Sequence, residues 1–254
     1  METWIAAGRV TVNDVLATLG QRVASGDRVK VDGRLLALRW ETRVPRILLY
    51  HKPAGEIVSA DDPAGRPTVF DRLPRVRGGR WIAVGRLDYN TSGLLVLTTS
   101  GDLAARLMHP RYQIEREYAV RIDGQLSGEE CARLTEGVLL EDGPARFASL
   151  SDEGGAGRNR WYRVVLREGR NREVRRIIEA LGRRVTRLMR VRFGPIALPP
   201  GMRRGQYREL DAADVGSILA GLDPQPPQAL PARQGVGREH PLQPAPTRRP
   251  PRGR

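Results

Sequence analysis

Several features on which common classes of protein depend are scarce or missing in this sequence. Among its 254 residues there is one cysteine, Cys131, so the chain can form neither an internal disulfide nor a cysteine-built metal site. No apolar run approaches the roughly 18 residues that span a bilayer, and the N-terminus carries no signal-peptide pattern. We therefore expect a cytoplasmic protein that enters no membrane, with Cys131 as a small buried residue of a helix.

Motifs for several kinds of catalysis are missing as well. The three histidines, His51, His109 and His240, are scattered and lack the spacing of metal ligands. There is no GxxxxGK[ST] phosphate loop, no GxGxxG after a strand and no GxSxG elbow. Nucleoside-triphosphate, dinucleotide and serine-hydrolase chemistry are therefore unsupported. Carboxylates and arginines remain as the candidate functional groups.

Positive charge is what the chain has in excess. The net charge is +14, and only Lys30 and Lys52 among the 43 basic residues are lysines. Between residues 167 and 192 ten arginines accompany three glutamates in a stretch that keeps an apolar pattern, which indicates a charged face on a folded element. Arginine binds phosphates bidentately and stacks on bases, so nucleic acid is the favoured partner. A generic basic surface is the alternative.

The chain divides into four segments by composition. Residues 1–38 predict a small unit, with a short helix closed by Gly8 and alternating strands at "RVTVND" and "GDRVKVDG". Residues 39–46 are typical of a linker, and residues 47–222 form the main domain. Residues 223–254 are rich in proline and arginine, which predicts disorder. This tail is either a basic arm that contacts RNA or a passive extension.

The main domain alternates many strands with few helices. Strands are predicted at "ILLYHKP", "WIAVGRLD", "GLLVLTT", "REYAVRIDG", "RWYRVVLREG", "RVTRLMRVRFGPIAL" and "QYREL". One helix is predicted after its cap Ser100, and another between Ser127 and Gly137, with Ser127 and Glu130 as a capping box. A third is predicted from its cap Asn171 to Gly182, and a last one over "DAADVGSILAGL". This pattern predicts an α+β domain with a mostly antiparallel, mixed sheet.

Asp88 is the most distinctive carboxylate. It follows the predicted strand "WIAVGRLD" and precedes a turn at Asn90, Ser92 and Gly93. Side chains at strand ends are rigidly held yet accessible, which suits a catalytic group. A surface ion pair with Arg86 is the alternative, since residues two apart in a strand share a face. The residues alone leave both interpretations open.

Four stretches together carry a resemblance to a known family. They are "LLYHKPAG", "GRLDYNTSGLLVLTTSGDLAARLMHP", "REYAVRIDG" and "EGRNREVRRIIEALG". In order and spacing they resemble motifs of bacterial rRNA pseudouridine synthases of the RsuA/RluB family, from about residue 46 to 215. "REVRR" and "EDGPARF" look most like the RluB branch, which modifies 23S rRNA. Residues 1–38 resemble the second half of an S4 RNA-binding domain.

The resemblance implies an isomerase that breaks the uracil–ribose bond, rotates the base and rejoins it through carbon. Such a reaction needs neither metal nor cofactor. By resemblance, Asp88 is the nucleophile, Tyr118 lies against the target base, and Arg175 pairs with Asp88. Arg86 and Lys52 would position substrate or contact RNA. Further RNA contacts are expected from Arg170, Arg172, Arg176, Arg183 and Arg184.

The expected partner is therefore rRNA, as 23S rRNA or within a pre-ribosomal particle, and the expected state is a monomer. One alternative is a non-catalytic RNA-binding or ribosome-assembly protein on the same fold, which leaves Asp88, Tyr118 and Arg175 unexplained. A glycosidase is the other alternative. Hydrolysis of a glycosidic bond normally uses two paired carboxylates, and the sequence offers no second acid as convincing as Asp88.

Overall fold

The structure is a computed structural model that describes residues 2–21, 23–24, 26–37, 44–155 and 158–222. The predicted linker at 39–46 therefore lies mostly outside the described residues, and its last three positions have no regular structure. The predicted tail at 223–254 lies outside them altogether. None of the described helices combines the length and apolar character needed to cross a membrane.

The N-terminal unit is a small sheet with one short helix, as the alternating sequence predicts. The helix is α1 (Glu2–Ala6), and the strands are β1 (Val10–Val12), β2 (Val15–Leu16), β3 (Val29–Val31) and β4 (Arg34–Leu35). The sheet order is β2-β1-β3-β4, with antiparallel pairing throughout. Val10, Val12 and Val29 are buried and form a minimal core of their own.

A nine-stranded sheet forms the main domain. The strands are β5 (Ile47–Lys52), β6 (Ile82–Ala83), β7 (Ser92–Thr98), β8 (Arg116–Asp123), β11 (Ser149–Gly154), β12 (Asn159–Leu166), β13 (Val185–Phe193), β14 (Ile196–Ala197) and β15 (Tyr207–Glu209). The order of strands across the sheet is β11-β12-β8-β13-β7-β5-β15, with β14 paired to β13 and β6 paired to β7. Among these nine strands, only the neighbours β7 and β13 run parallel. The mixed, mostly antiparallel α+β prediction is thus confirmed.

Helices cover both faces of this sheet. They are α2 (Gly101–Met108), α3 (Gly128–Glu136), α4 (Glu173–Glu179) and α5 (Ala212–Leu222), and a two-stranded ribbon, β9 (Val138–Leu140) with β10 (Gly143–Ala145), lies beside them. The predicted caps of two helices are present. The Ser100 hydroxyl accepts the Leu103 N–H at 3.3 Å, and Ser127 and Glu130 form a reciprocal capping box.

Two cores, one on each face, explain the unbroken apolar run of β7. Leu95 and Leu97 point into a core that includes α3 and α4, whereas Leu94 and Val96 point into a core with α2 and α5. Alternate residues of a strand face opposite sides, so a central strand covered on both sides must be apolar at every position. β7 is therefore the rigid centre of the sheet, next to Asp88 in the chain.

Gly93 allows the parallel contact between β7 and β13. Its φ is +108°, and a Cβ at this position would lie 2.2 Å from the Arg190 carbonyl oxygen. Only glycine tolerates both the conformation and the close approach of the neighbouring backbone. Ser92 and Gly93 thus belong to the paired part of β7, and the turn after Asp88 lies earlier, at Tyr89 and Asn90.

Two predicted local features are wrong. The strand expected over "WIAVGRLD" shrinks to β6, two residues long, so Asp88 lies in a loop rather than at a strand end. The helix expected to be capped by Asn171 is preceded instead by Arg172, which has a left-handed φ of 50° and no side-chain cap. In its place the Glu173 carboxylate folds back and accepts the Arg170 N–H at 3.0 Å.

Candidate active site

A cleft of about 340 Å³ opens above the centre of the large sheet, and Asp88 lines it. Three segments far apart in sequence form its walls: the loop between β6 and β7, the first residues of β8, and the loop that leads into α4. The inward side chains of β13 form its floor. The charged and aromatic residues that line it are Arg86, Asp88, Arg116, Tyr118, Arg170, Arg172, Glu173, Arg190 and Phe193.

The loop that carries Asp88 is fixed from below by Lys52. The Lys52 side chain is fully buried at the end of β5, and its Nζ donates to the carbonyl oxygens of Asp88 at 3.1 Å, Thr91 at 2.9 Å and Pro53 at 2.9 Å. Burial lowers the pKa of Lys52 to about 8, while the carboxylates of Glu56 and Asp88 pull it upward. Lys52 does not line the cleft but supports the loop from beneath through these hydrogen bonds.

The Asp88 carboxylate itself forms no ion pair or hydrogen bond with any residue that the structure describes. The alternative of a local ion pair with Arg86 is therefore not what holds it. Arg86 is exposed and lines the cleft without a side-chain partner of its own among the described residues. A carboxylate left without protein partners at the wall of a basic cleft is available to react with a ligand.

Arg175 lies near Asp88 but does not pair with it directly. Its Nη2 donates to the Asn90 carbonyl at 3.0 Å and its Nη1 to the Val185 carbonyl at 3.4 Å. Burial lowers the pKa of Arg175, and the charge of Asp88 opposes this. The expected direct ion pair is thus replaced by a longer-range attraction and by a contact with the turn that follows Asp88. Like Lys52, Arg175 holds the loop.

Tyr118 lies in the cleft, on the face of β8 that also buries Val120 and Ile122. Behind it is Arg190, which is 2% exposed and has no carboxylate partner among the described residues. Arg190 donates from Nε to the Leu94 carbonyl at 2.8 Å. Burial lowers its pKa, and the electrostatic interaction with Tyr118 opposes this. The Tyr118 ring is therefore packed in the sheet close to a buried cation.

Sequence reasoning missed three charged residues of the cleft: Arg116, Glu173 and Arg190. Arg116 begins β8, with its guanidinium 5.2 Å from the centre of the Phe193 ring. Glu173 is 3% exposed, and burial, followed by its hydrogen bond with Glu168, raises its pKa to about 7. Arg190 occupies a buried position of β13, and the other buried positions of this strand, Val185, Leu188 and Phe193, are apolar.

The five arginines predicted to contact RNA differ in their environment. Arg172 is exposed at the cleft, without a side-chain partner among the described residues. Arg170 also lines the cleft but bonds to Asp142, Glu168 and Glu173. The remaining three form ion pairs, Arg176 with Asp142, Arg183 with Glu130 and Arg184 with Asp123. The structure thus brings two of the five to the cleft.

Within the described ranges no three side chains of histidine, cysteine, aspartate or glutamate are grouped so that they could hold a metal ion. The groups that converge on the cleft are one unpartnered carboxylate, one tyrosine and several guanidinium groups. Such a set suits an anionic substrate with a planar ring, because arginine recognises phosphate and tyrosine packs against bases.

The family follows from comparison with known proteins. A family model described as RNA pseudouridylate synthase matches residues 46–180, which contain β5, the Asp88 loop, β8 and α4. This match covers more than half of the chain. The chain therefore belongs to the RNA pseudouridylate synthase family, as the resemblance of its motifs predicts.

Individual relatives are similar over nearly the whole chain. A protein of Pseudomonas aeruginosa named ribosomal large subunit pseudouridine synthase B is 53% identical over 241 residues, which are 94% of this chain and 62% of the relative. The protein of the same name from Salmonella typhimurium is 53% identical over 231 residues, or 90% of this chain and 79% of the relative. The chain thus spans somewhat less than two thirds of the first relative's length.

A solved structure has the same fold. A pseudouridylate synthase crystal structure with 25% sequence identity covers 85% of this chain, and this chain covers 91% of it, with a TM-score of 0.61. The predicted fold family is confirmed by this likeness.

Proposed function

We propose that this protein isomerises one uridine of 23S rRNA to pseudouridine, with the Asp88 carboxylate as the nucleophile. The observation that carries the proposal is the unpartnered Asp88 side chain in a cleft whose other charged groups are mostly arginines. The names of the two relatives support the large ribosomal subunit as the source of the RNA.

The chemistry requires one bond to be exchanged for another. The N1–C1′ glycosidic bond of uridine breaks and a C5–C1′ bond forms, while N1 gains a proton and C5 loses one, so the reaction is a net isomerisation. The Asp88 carboxylate would attack either C1′ of the ribose or C6 of the base. Attack at C1′ would hold the ribose as an ester while the released uracil turns within the cleft, whereas attack at C6 would hold the uracil itself while it is detached from the ribose. Both routes need an ionised carboxylate that can reach the nucleoside.

Tyr118 would lie against the extruded uracil ring, since it is the aromatic residue at the cleft with the most rigid support. A uridine must leave its stack before a cleft of this kind can hold it, and an aromatic surface compensates for part of the lost stacking. Arg190 would fix the tyrosine hydroxyl from behind. Arg116, at the beginning of the same strand, would add positive charge next to the phosphate or the ribose.

Lys52 and Arg175 would act on Asp88 through the loop rather than on the substrate. Both are buried, and both donate to carbonyl oxygens of the segment 88–91. They place positive charge near Asp88 without neutralising it by direct contact. This arrangement would hold the loop from two segments of the chain and leave the carboxylate oxygen atoms free of direct contacts.

RNA would approach over the exposed arginines at the rim of the cleft, chiefly Arg172 and Arg86. Arg170, Arg176, Arg183 and Arg184 could contact phosphates by exchanging a carboxylate partner for a phosphate. Unpaired arginines favour contact with a polyanion, and this supports a path of the RNA over Arg172 and Arg86.

We also propose that the N-terminal sheet is a partial S4-like unit that adds to RNA binding, and that the protein works as a monomer in the cytoplasm.

The test is to replace Asp88 and to follow both reaction and binding. We expect Asp88→Asn to reduce tritium release from 23S rRNA transcript labelled at C5 of uridine by at least about a thousandfold, because the nucleophile is lost. Affinity for the transcript should stay within about twofold. The exposed Asp102→Asn in α2 serves as a matched control with full activity.

Unchanged activity of Asp88→Asn would refute the assignment of the nucleophile. If the wild-type protein bound the transcript tightly but formed no pseudouridine, the non-catalytic RNA-binding alternative would be favoured instead. Carbodiimide mapping of the reacted transcript would identify the modified position in the same experiment.

A further inference from the structure

A second cavity adjoins the active-site cleft. This side groove has a volume of about 540 Å³ and is lined by the segment 58–60, by part of the segment 70–83 and by Gly85, Arg86 and Met108. The last three also line the cleft, so the two spaces share a wall. A volume of this size falls within the range of about 300–1,000 Å³ that small-molecule sites occupy.

The walls of the side groove are apolar and held in place by hydrogen bonds. Phe70 and Trp81 supply the aromatic surface, and the Trp81 Nε1 donates to the Pro74 carbonyl at 2.8 Å. At the start of the short helix before Pro74, the Thr68 N–H donates to Asp71 at 2.8 Å. The side groove therefore exists before anything binds, and a ligand would not need to order it.

The charged side chains of the side groove are all basic. Arg75, Arg80 and Arg86 line it, and no acidic residue does so among the described residues. None of the three has an ion-pair partner within the part of the chain that the structure describes. Most arginines on β12 and β13, by contrast, are paired with carboxylates, for example Arg163 with Glu117 and Arg192 with Glu115. Arg75, Arg80 and Arg86 therefore do not have to give up a carboxylate partner before they contact a phosphate.

Apolar walls combined with unpaired arginines match an unstacked nucleotide. Single-stranded nucleic acid is bound elsewhere by this combination, in which bases pack on aromatic side chains and phosphates contact cations. A uridine turned out of its helix also leaves the neighbouring base without its stacking partner. That base needs an apolar surface close to the cleft, and the side groove offers one directly across Arg86.

We propose that the side groove binds the nucleotide next to the target uridine, with its base against Phe70 and Trp81 and the flanking phosphates on Arg75 and Arg80. This inference rests on the proposed function, since the uridine must occupy the cleft. It adds a second nucleotide subsite, so the enzyme would read two adjacent bases of an opened strand rather than one.

The first experiment measures binding of unmodified 23S rRNA transcript by filter retention at several salt concentrations. The double variant Arg75→Gln with Arg80→Gln should weaken affinity by about tenfold, and the slope of log affinity against log salt should become shallower by about 1.4, which corresponds to two lost phosphate contacts on a single strand. The control removes two exposed arginines outside both cavities, Arg133→Gln with Arg146→Gln. It loses the same charge and should retain most of the wild-type affinity.

The second experiment locates the RNA by ultraviolet cross-linking of the same transcript, followed by mass spectrometry. We expect a peptide containing Phe70 or Trp81 to carry a nucleotide adjacent to the pseudouridine that carbodiimide mapping identifies. Cross-links to this peptide only from distant nucleotides, or an equal loss of affinity in the two double variants, would overturn the inference.

The two proposals fail in different ways. If the wild-type protein forms pseudouridine but the side-groove variants bind like their control, the side groove is not an RNA subsite and the proposed function is untouched. If the wild-type protein forms no pseudouridine, the proposed function fails, and the inferred pairing of the side groove with a target uridine fails with it.

Discussion

Tyr118 combines packing and polarity in one side chain, and replacing its hydroxyl separates the two. We expect Tyr118→Phe to keep the ring in place but to remove the polar hydroxyl whose interaction favours the charged form of the buried Arg190, at a cost of about 1–3 kcal/mol in the free energy of unfolding. If the hydroxyl orients the substrate, kcat for pseudouridine formation should fall as well. Urea unfolding and single-turnover kinetics would measure the two effects.

Tyr162 provides the control for this prediction. Its buried hydroxyl accepts the Leu126 N–H at 2.8 Å and does not line the cleft. Tyr162→Phe should therefore reduce stability to a similar extent without reducing kcat. Equal kcat in both variants would assign Tyr118 a purely structural role.

Glu173 is the buried acid whose titration should be visible in the stability of the protein. Burial and the hydrogen bond with Glu168 raise its pKa from 4.5 to about 7. Between these values the folded state binds the proton more tightly than the unfolded state, so the free energy of unfolding falls as the pH rises through this interval. Glu173→Gln keeps an acceptor for the Arg170 N–H and cannot titrate.

Urea unfolding from about pH 5 to about pH 8 tests this prediction. Relative to wild type, Glu173→Gln should become more stable as the pH rises, and the difference should level off above about pH 7. The exposed Glu129→Gln in α3 is the control, with a pH dependence like that of wild type. A constant difference between Glu173→Gln and wild type over the whole interval would contradict the raised pKa.

The parallel contact of β7 with β13 is where a single substitution should disturb a whole element. Gly93→Ala would place a methyl group 2.2 Å from the Arg190 carbonyl oxygen and force a non-glycine residue into a positive φ of 108°. We expect destabilisation of about 3 kcal/mol or more, since overpacking and backbone strain add. Thermal unfolding would detect it.

Gly216 is the matched control for Gly93. It lies exposed within α5, and a Cβ there would meet nothing within 4 Å. Gly216→Ala should stabilise the protein by about 0.5–1 kcal/mol because it removes backbone freedom from the unfolded chain. Similar unfolding temperatures for the two variants would show that β13 can move away from Gly93.

Elements with a clear period or cap could be predicted from the sequence, and short irregular ones could not. The β8 alternation and the Ser127 capping box signal their structures locally. β9 and β10 have three residues each, too few to establish a period, and β6 has two. The N-terminus of α4 eluded prediction because Arg172 takes a left-handed conformation that asparagine would adopt more readily.

The same distinction applies to the site. Asp88, Tyr118 and Arg175 could be named from motifs, whereas their contacts could not, because these depend on where β5, β7 and α4 meet. Arg175 contacts the Asn90 carbonyl rather than the Asp88 carboxylate, and the buried Lys52 holds the Asp88 loop from the opposite side. No spacing in the sequence determines such distances between segments.

At the scale of the molecule, the count of 43 basic residues overstates the number of cations available to RNA. Many arginines already form ion pairs within the protein: Arg176 with Asp142, Arg183 with Glu130, and both Arg158 and Arg184 with Asp123. A phosphate at any of these positions would first have to displace a carboxylate. The exposed, unpaired arginines near the cleft should therefore dominate the salt dependence of binding.

Two single substitutions test this distinction. Arg172→Gln removes an unpaired arginine of the cleft, so the slope of log affinity against log salt should become shallower by about 0.7, the value for one phosphate contact on a single strand. Arg158→Gln removes an equally exposed arginine whose partner Asp123 keeps Arg184, so its slope should stay at the wild-type value. Filter binding of 23S rRNA transcript measures both. Equal slopes in the two variants would mean that the salt dependence of RNA affinity follows the total charge of the protein rather than the positions of the unpaired arginines.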